Sequence, residues 1–215
     1  MLGTVYTVGH STHSIEKLLE LLKIHSITVV CDVRSKPYSR MNPQFNREPL
    51  KEALRYAGIK YVFLGKELGA RSDDKSCYRN GQVQYDLLAQ TSLFKHGIER
   101  LKQGAANYRV ALMCAEKEPL DCHRTILVAR ELSEQGIPIQ HILSDGRVET
   151  HEHAIGRLII KLGMPESDMF MSKDSIVGQA YARQGGEIAY QEGVQEASLT
   201  EGSGGHPVTG AGAGR

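Results

Sequence analysis

The sequence has no tryptophan, few aromatic residues (6%) and only four cysteines among 215 residues. So few cysteines in a chain of this length exclude the disulfide-rich scaffold of a small secreted protein. Residues 1–12 lack the basic stretch and apolar core of a secretory signal. No apolar run approaches the ~20 residues that a membrane helix needs. We therefore expect a cytoplasmic protein with no membrane partner.

The sequence also lacks a large excess of either positive or negative charge, since the formal net charge is only +1. The overall balance thus favours neither nucleic acid nor an acidic partner, and any such partner has to be argued from a local site. The chain is 40% hydrophobic and 24% charged, which is enough to form one substantial core.

The first third of the chain has the pattern of a βαβ unit. Residues 4–8 are β-branched or aromatic and stop at Gly9, which predicts a strand. Ser14 then precedes apolar residues at helical spacing, which predicts a capped amphipathic helix. Residues 27–32 are almost continuously apolar, as is typical of a strand covered on both faces of a parallel sheet.

The alternation of strands and helices continues. We predict strands at 61–64, 108–113 and 138–143 and helices at 50–56, 85–101, 120–135 and 150–162. The charged segment 65–81 has little periodicity and is predicted to be a long loop, a candidate lid. The expected fold class is α/β, with three layers: a mostly parallel sheet with helices on both faces.

The chain is expected to divide into three parts. Residues 1–163 would form a single α/β domain, and residues 164–200 a C-terminal appendage that is partly helical. Residues 201–215 are glycine-rich with little apolar content, so we expect a flexible tail.

Polar side chains follow three of the predicted strands. They are His10 and Ser11 after the first, Asp32, Arg34 and Ser39 after the second, and Cys114 and Glu116 after the strand at 108–113. Ligands of open parallel sheets bind beyond the carboxyl ends of the strands. We therefore expect a shared polar site at this edge.

Cys114 is the candidate nucleophile of this site. Pro119 suits a first helical turn and Glu118 can cap it, so Cys114 would face a helix N-terminus, a setting that lowers the pKa of a thiol. The alternative is that Cys114 packs as a small hydrophobic residue, which carries about equal weight. The candidate helpers are His10, His123, Arg34 and Arg124.

Cys122 is placed by the same pattern on a helix, in a stripe that faces the core, with His123 projecting elsewhere. A zinc site of Cys114, Cys122, His123 and His10 is an alternative, since these are suitable ligands. Their spacing matches no standard zinc motif, and adjacent helical residues diverge by about 100°. We assign no metal ligand and no cofactor.

The basic segment around Arg34 could hold a phosphate or carboxylate, with Arg34 as a bidentate clamp that Asp32 orients. The alternative is a solvated basic loop. Cations and aromatic residues also alternate here in a way that would suit a nucleotide or a single strand, though without a contiguous basic face. These residues are Arg40, Phe45, Arg47, Arg55, Tyr61 and Arg71.

An ordered series of motifs resembles domain-of-unknown-function family 488. The motifs are 8–14 (VGHSTHS), 32–37 (DVRSKP) with Ser39, 61–64 leading to Leu68-Gly69, and 112–124 with Cys114, Pro119 and Cys122-His123-Arg124. The resemblance spans about residues 1–145. It implies an α/β fold and a polar pocket built from these motifs, and it supplies no reaction.

Together these observations favour an enzyme, a cysteine- or carboxylate-dependent hydrolase or transferase, that acts on an anionic, phosphate-containing substrate such as a nucleotide or nucleic acid. The catalytic candidates are Cys114, Glu116, His10 and His123, with a strongly lowered pKa expected for Cys114. The candidates for substrate binding are Ser11, Asp32, Arg34, Ser39 and Arg124. The alternatives are a non-catalytic module that binds an anionic ligand or nucleic acid, and a zinc or redox cysteine site.

Overall fold

A six-stranded sheet forms the centre of the computed structural model, which describes residues 3–165 and 171–193. The strands within these residues are β1 (Val5–Gly9), β2 (Val29–Asp32), β3 (Lys60–Phe63), β4 (Tyr78–Arg79), β5 (Gln82–Val83), β6 (Val110–Cys114), β7 (Ile139–Ile142) and β8 (Val148–Thr150). The sheet has the order β3-β2-β6-β1-β7-β8, and β4 and β5 form a separate hairpin. Within this six-stranded sheet of the described residues, β8 at one edge is antiparallel to its neighbour and the other strands are parallel.

Eight α-helices of the described residues connect and cover these strands. They are α1 (Ile15–Ile24), α2 (Arg47–Tyr56), α3 (Gly65–Leu68), α4 (Tyr85–Gln90), α5 (Ser92–Asn107), α6 (Arg130–Glu134), α7 (His151–Lys161) and α8 (Lys173–Ile188). Short 3-10 turns lie at Pro43–Phe45, Lys75–Cys77 and Pro119–Asp121, and a π-helical segment, Arg124–Ala129, runs into α6.

The sheet is buried on both faces. On one face, Val8 and Val30 pack with Leu18 of α1 and Leu50 of α2. On the other, alternate residues of the same strands pack against α4, α5, the π-helical segment, α7 and α8. This arrangement confirms the predicted three-layer α/β fold.

The helix predicted at 85–101 is two helices. The chain breaks at Thr91, whose hydroxyl accepts a hydrogen bond from the Phe94 N–H at 3.2 Å and caps α5. A threonine cap favours the start of a new helix over the continuation of the preceding one. The apolar pattern continues across this cap, and the pattern alone therefore predicted one helix.

The segment 65–81 was predicted as an unstructured loop, and this was wrong in part. It contains α3, the turn Lys75–Cys77 and the first strand of the β4–β5 hairpin. Asn80 (φ 50°) and Gly81 (φ 76°) form the turn of the hairpin. Positive φ angles at both residues are the backbone conformation that a tight two-residue turn requires. The short strand β8 was also missed.

Helix α8 packs on the central domain, since Ile176, Ala180 and Tyr181 belong to the same buried cluster as Val5 and Leu112. The division of the chain at residue 163 stays a prediction. The predicted tail, 201–215, lies outside the described residues.

Within the residues that the structure describes, none of the helices has the length and apolar character needed to cross a membrane.

Candidate functional site

The sheet order brings together the three strand ends that the sequence marked. β6 lies between β1 and β2, with Gly9 opposite Cys114 and Asp32 opposite Met113. The chain after β1 and the chain after β6 stay paired, because the N–H groups of His10 and Ser11 donate to the carbonyls of Cys114 (2.9 Å) and Ala115 (2.8 Å). The loop after β6 is therefore held against β1.

Gly9 makes this close approach sterically feasible. A Cβ atom at this position would overlap the carbonyl oxygen of Glu116, so any side chain would push the loop away. Glycine is needed here because a side chain has no space. It is not needed for its backbone conformation, since Gly9 has ordinary strand dihedral angles.

Arg124 fixes the same loop from beneath. It is fully buried, and its guanidinium donates to the carbonyls of Glu116 (2.7 Å) and Lys117 (3.3 Å) and to the hydroxyl of Thr7 (3.4 Å). We predicted Arg124 as a substrate contact, whereas its contacts make it a positioning residue for the loop that carries Glu116.

Four side chains on this loop and the following turn form a compact cluster. One ligand-type atom from each of Cys114, Glu116, Cys122 and His123 lies within 4.8 Å of every other. The Cys114 Sγ is 3.6 Å and the Cys122 Sγ 3.9 Å from the His123 Nδ1. The Cys122 thiol donates to the Glu116 carboxylate at 2.8 Å.

Cys122 belongs to this cluster because it does not lie on a helix. Its dihedral angles (φ −137°, ψ 137°) are extended, the 3-10 turn Pro119–Asp121 precedes it, and the π-helical segment begins only at Arg124. The prediction that Cys122 faces away from His123 was therefore wrong. The signal that could have found it is the Pro119 turn, which separates Cys122 from the helical pattern that follows.

The two thiols have opposite pKa shifts. Burial raises the pKa of Cys114 well above its usual value, and the neighbouring Cys122 adds to the rise. At Cys122 burial also opposes ionisation, but hydrogen bonding with Cys114 and the charge of Arg124 outweigh it and lower the pKa. The strongly lowered pKa predicted for Cys114 was wrong, because the side chain is buried and burial raises its pKa.

The pKa values of His123 and Glu116 are shifted by contact with the same pair of cysteines. Although burial opposes the imidazolium, the hydrogen bond and the charge of Cys122 raise the pKa of His123. Loss of solvent and the charge of Cys122 raise the pKa of Glu116. The His123 Nε2 lies 3.0 Å from the carbonyl oxygen of Val33, so this nitrogen carries a proton, and the Nδ1 is the ring nitrogen that faces the sulfur atoms.

Arg34 and Asp32 form a buried pair beside the cluster. The Nε and Nη2 of Arg34 donate to the two carboxylate oxygens of Asp32 at 2.9 and 2.7 Å, and Tyr61 donates to the same carboxylate at 2.8 Å. The guanidinium fork that we predicted as a ligand clamp is thus occupied by Asp32 itself.

His10 completes this network as a neutral imidazole. Its Nε2 accepts a hydrogen bond from the Arg34 Nη1 at 3.0 Å, its Nδ1 donates to the Ser11 carbonyl at 2.8 Å, and its ring stacks on Phe45. Burial, with Arg34 adding to it, lowers the pKa of His10 to about 4. His10 orients Arg34 and lies outside the cavity wall.

A cavity of about 250 Å³ opens in front of the cluster. Its wall contains Cys114, Glu116 and His123 together with residues that the sequence had not assigned to the site. Arg34, a predicted binding residue, also lies in this wall, and the further wall residues with polar side chains are Ser35, Lys36, Arg71, Tyr85, Asp121 and Tyr190. The cavity thus joins the cluster to three cationic side chains.

Two predicted binding residues have other contacts. The Ser39 hydroxyl accepts hydrogen bonds from the N–H groups of Met41 and Asn42, both at 3.2 Å, and stabilises a turn. Ser11 has a positive φ of 49° and contributes backbone contacts to the β6 loop. Phe45, which we considered for stacking on a base, is fully buried beneath His10.

Comparison with known proteins identifies a family. The model described as "Domain of unknown function DUF488" matches residues 14–130, a stretch that includes the whole cluster. No curated protein and no solved structure matched the chain.

Proposed function

The chain belongs to the family described as domain of unknown function DUF488, and we propose that it is an enzyme of the hydrolase or transferase class that acts on a small anionic substrate in the cavity. One observation supports this most strongly. The cluster of Cys114, Glu116 and His123 and the cations Arg34, Lys36 and Arg71 line the same open cavity. Such a combination of titratable and cationic groups in one cleft is typical of a catalytic site.

The charges of the wall favour an anion. Asp121 is paired with Lys161 at 2.8 Å, and Asp32 occupies most of the donors of Arg34. Lys36 and Arg71, whose guanidinium stacks on the Tyr190 ring, line the cavity together with Glu116. An oxyanion beside them gains charge-assisted hydrogen bonds, which are the strongest that side chains make.

The size of the cavity favours a small substrate. At about 250 Å³ it lies at the lower limit of ligand pockets, which run from ~300 to 1,000 Å³. A phosphate group with one sugar or base fits this space, and a longer chain would extend into solvent.

Binding is tested by isothermal titration with inorganic phosphate and with a nucleoside monophosphate. Arg71→Gln should weaken the tighter ligand about tenfold or more, the effect of one charge-assisted hydrogen bond. Arg183→Gln is the matched control, because Arg183 is exposed and lies outside the cavity wall. Equal affinity in the two variants, or no binding of either ligand, would contradict the proposal.

Turnover is tested by ³¹P NMR with phosphate monoesters and diesters. Glu116 is the exposed carboxylate of the cluster and is proposed to transfer a proton during the reaction. Glu116→Gln should lower turnover about 100-fold or more while leaving ligand affinity within a few-fold. Ligands that bind and stay intact over long incubation would instead indicate a binding module.

A further inference from the structure

The distances within the cluster match the coordination sphere of a metal ion. In a tetrahedral zinc site with Zn–S of ~2.3 Å and Zn–N of ~2.0 Å, sulfur and nitrogen ligands lie about 3.5 Å apart. The His123 Nδ1 is 3.6 Å from the Cys114 Sγ and 3.9 Å from the Cys122 Sγ. The distance from the Cys122 Sγ to the Glu116 carboxylate, 2.8 Å, is shorter than such a sphere requires, so the exposed Glu116 side chain would have to rotate to take its place as a ligand.

The surroundings orient the ligands as they do in metal sites. The Nε2–H of His123 donates to the Val33 carbonyl at 3.0 Å, the outer contact that fixes the tautomer of a metal-bound histidine. The backbone N–H of Arg124 points to the Cys122 Sγ at 3.5 Å. Three of the four ligand residues are buried, and all four lie in the short stretch between the end of β6 and the start of the π-helical segment.

The charge of the environment suits a thiolate-bound cation. Two thiolates and a carboxylate carry three negative charges, and a divalent ion neutralises two of them. The buried guanidinium of Arg124, which holds the Glu116 and Lys117 carbonyls, lies beneath the loop and balances the third. A buried group of anions without such compensation would be strongly destabilising.

We propose that Cys114, Cys122, His123 and Glu116 bind a Zn²⁺ ion. Two sulfur ligands and one imidazole in a tetrahedral arrangement select zinc over the hard cations magnesium and calcium, which prefer oxygen ligands. On zinc binding each thiol gives up its proton to solvent and no electrons are transferred. This inference deepens the proposed function and rests on it for the role of the ion, a Lewis acid beside the bound anion.

Glu116 is the exchangeable ligand of the site. It is the exposed member of the cluster and lies in the cavity wall, while Cys122 and His123 are buried. When water or substrate replaces it, two cysteines and one histidine remain around a position open to the cavity, the arrangement of a catalytic zinc site.

Metal analysis of the full chain tests this inference without an activity assay. The protein is purified under reducing conditions, stripped with a chelator, incubated with Zn²⁺ and analysed by mass spectrometry of the bound metal. We expect one zinc per chain, and with Co²⁺ an intense near-ultraviolet thiolate-to-cobalt band. Less than about a tenth of an equivalent of zinc, with no cobalt band, would overturn the inference.

Single substitutions identify the ligands. Cys114→Ser and His123→Gln should each weaken zinc binding about 100-fold or more, whereas Glu116→Gln should retain one equivalent with lower affinity. Cys77→Ala is the matched control, because Cys77 is equally buried but lies outside the cluster, and it should bind zinc as the native chain does. Native affinity in Cys114→Ser would overturn the inference even if His123→Gln does not fold.

A disulfide is the competing outcome. If dissolved oxygen oxidises Cys114 and Cys122 to a disulfide once the reductant is removed, the unfolded chain shows two free thiols instead of four, and the protein takes up no zinc until it is reduced. Failure to bind zinc even after reduction would then overturn the inference. Phosphate titration of the metal-free protein tests Arg71 separately, so a lost metal site and a lost anion site are distinguishable.

Discussion

At the scale of single residues, the side chains that build the site differ from those that face the cavity. Arg124 and Gly9 touch no cavity space, yet together they determine where the loop after β6 runs. His10 and Asp32 likewise act through Arg34. The pattern of polar residues after the strands predicted that these residues would meet at one edge of the sheet, but which of them line the cavity and which position others depends on side-chain packing.

The role of Gly9 gives a direct test. Gly9→Ala would place a methyl group on the Glu116 carbonyl oxygen, so the β6 loop must move or β1 must shift. We expect a loss of about 2 kcal/mol in the free energy of unfolding, within the 1–3 kcal/mol typical of overpacking. Urea denaturation measures this loss, and phosphate titration should show weaker binding because Glu116 and Cys114 are displaced.

Gly156→Ala is the control, because it makes the same glycine-to-alanine change at a position with free space. Gly156 lies within α7, and a Cβ atom there meets nothing within 4 Å. Alanine should therefore stabilise the helix by up to ~1 kcal/mol. A Gly9→Ala variant as stable as Gly156→Ala would show that the loop has room to move.

At the scale of elements, the main errors of sequence-based prediction lie where a short turn interrupts a long apolar pattern. The helix predicted at 120–135 begins four residues later, at Arg124, and its first turns are π-helical. Cys122 consequently leaves the helical stripe and joins Cys114 and His123. Periodicity averages over many residues and cannot resolve one extended residue, so it could predict the helix but not this member of the site.

Helix α8 is the element that the sequence placed outside the main domain. Ile176 is almost fully buried in the core cluster, and Gln184 donates to the Leu120 carbonyl at 2.9 Å, beside the turn that precedes Cys122. Ile176→Ala should therefore lower the free energy of unfolding by about 3 kcal/mol, as large-to-small core substitutions do. Unfolding should remain a single transition by both circular dichroism and tyrosine fluorescence.

The control for this substitution is Ile160→Ala on the neighbouring helix α7. Ile160 is 63% exposed, so its truncation should lower the free energy of unfolding very little. Two separate transitions, or a loss in Ile176→Ala no larger than in Ile160→Ala, would indicate that α8 folds independently of the sheet.

At the scale of the whole molecule, the fold was predictable because its signals are local and repeated. Near-continuous apolar strands such as 27–32 and capped helices such as 15–24 alternate, and only a parallel sheet with two covered faces accommodates them. The strand order was not predictable, since it depends on which strands pair across the chain. That order, with β6 between β1 and β2, is what unites Cys114 with the residues after Asp32.

One buried chain of hydrogen bonds crosses the layers of the molecule. The Thr7 hydroxyl on β1 lies 2.8 Å from the His141 Nδ1, the His141 Nε2 3.1 Å from the His151 Nδ1, and the His151 Nε2 2.7 Å from the Tyr181 hydroxyl on α8. Burial lowers the pKa of His151 to about 4, opposed slightly by Glu152. Burial also lowers the pKa of His141, and His151, Arg124 and Arg157 lower it further.

Both histidines are therefore neutral in the folded protein and should make its stability sensitive to acid. A folded-state pKa below the unfolded value of ~6.5 means that the unfolded chain binds protons first as the pH falls. Stability is complete above pH ~6.5 and decreases towards pH 4, with His151 alone contributing about 3 kcal/mol of the loss. Urea denaturation between pH 7.5 and 4.5 should show a smaller loss in His151→Gln than in the native chain, although this variant is less stable at neutral pH. His96→Gln is the control, because His96 is exposed, and it should keep the native dependence of stability on pH. If the free energy of unfolding of His151→Gln changed with pH in parallel with that of the native chain, this would contradict the burial of a neutral histidine pair.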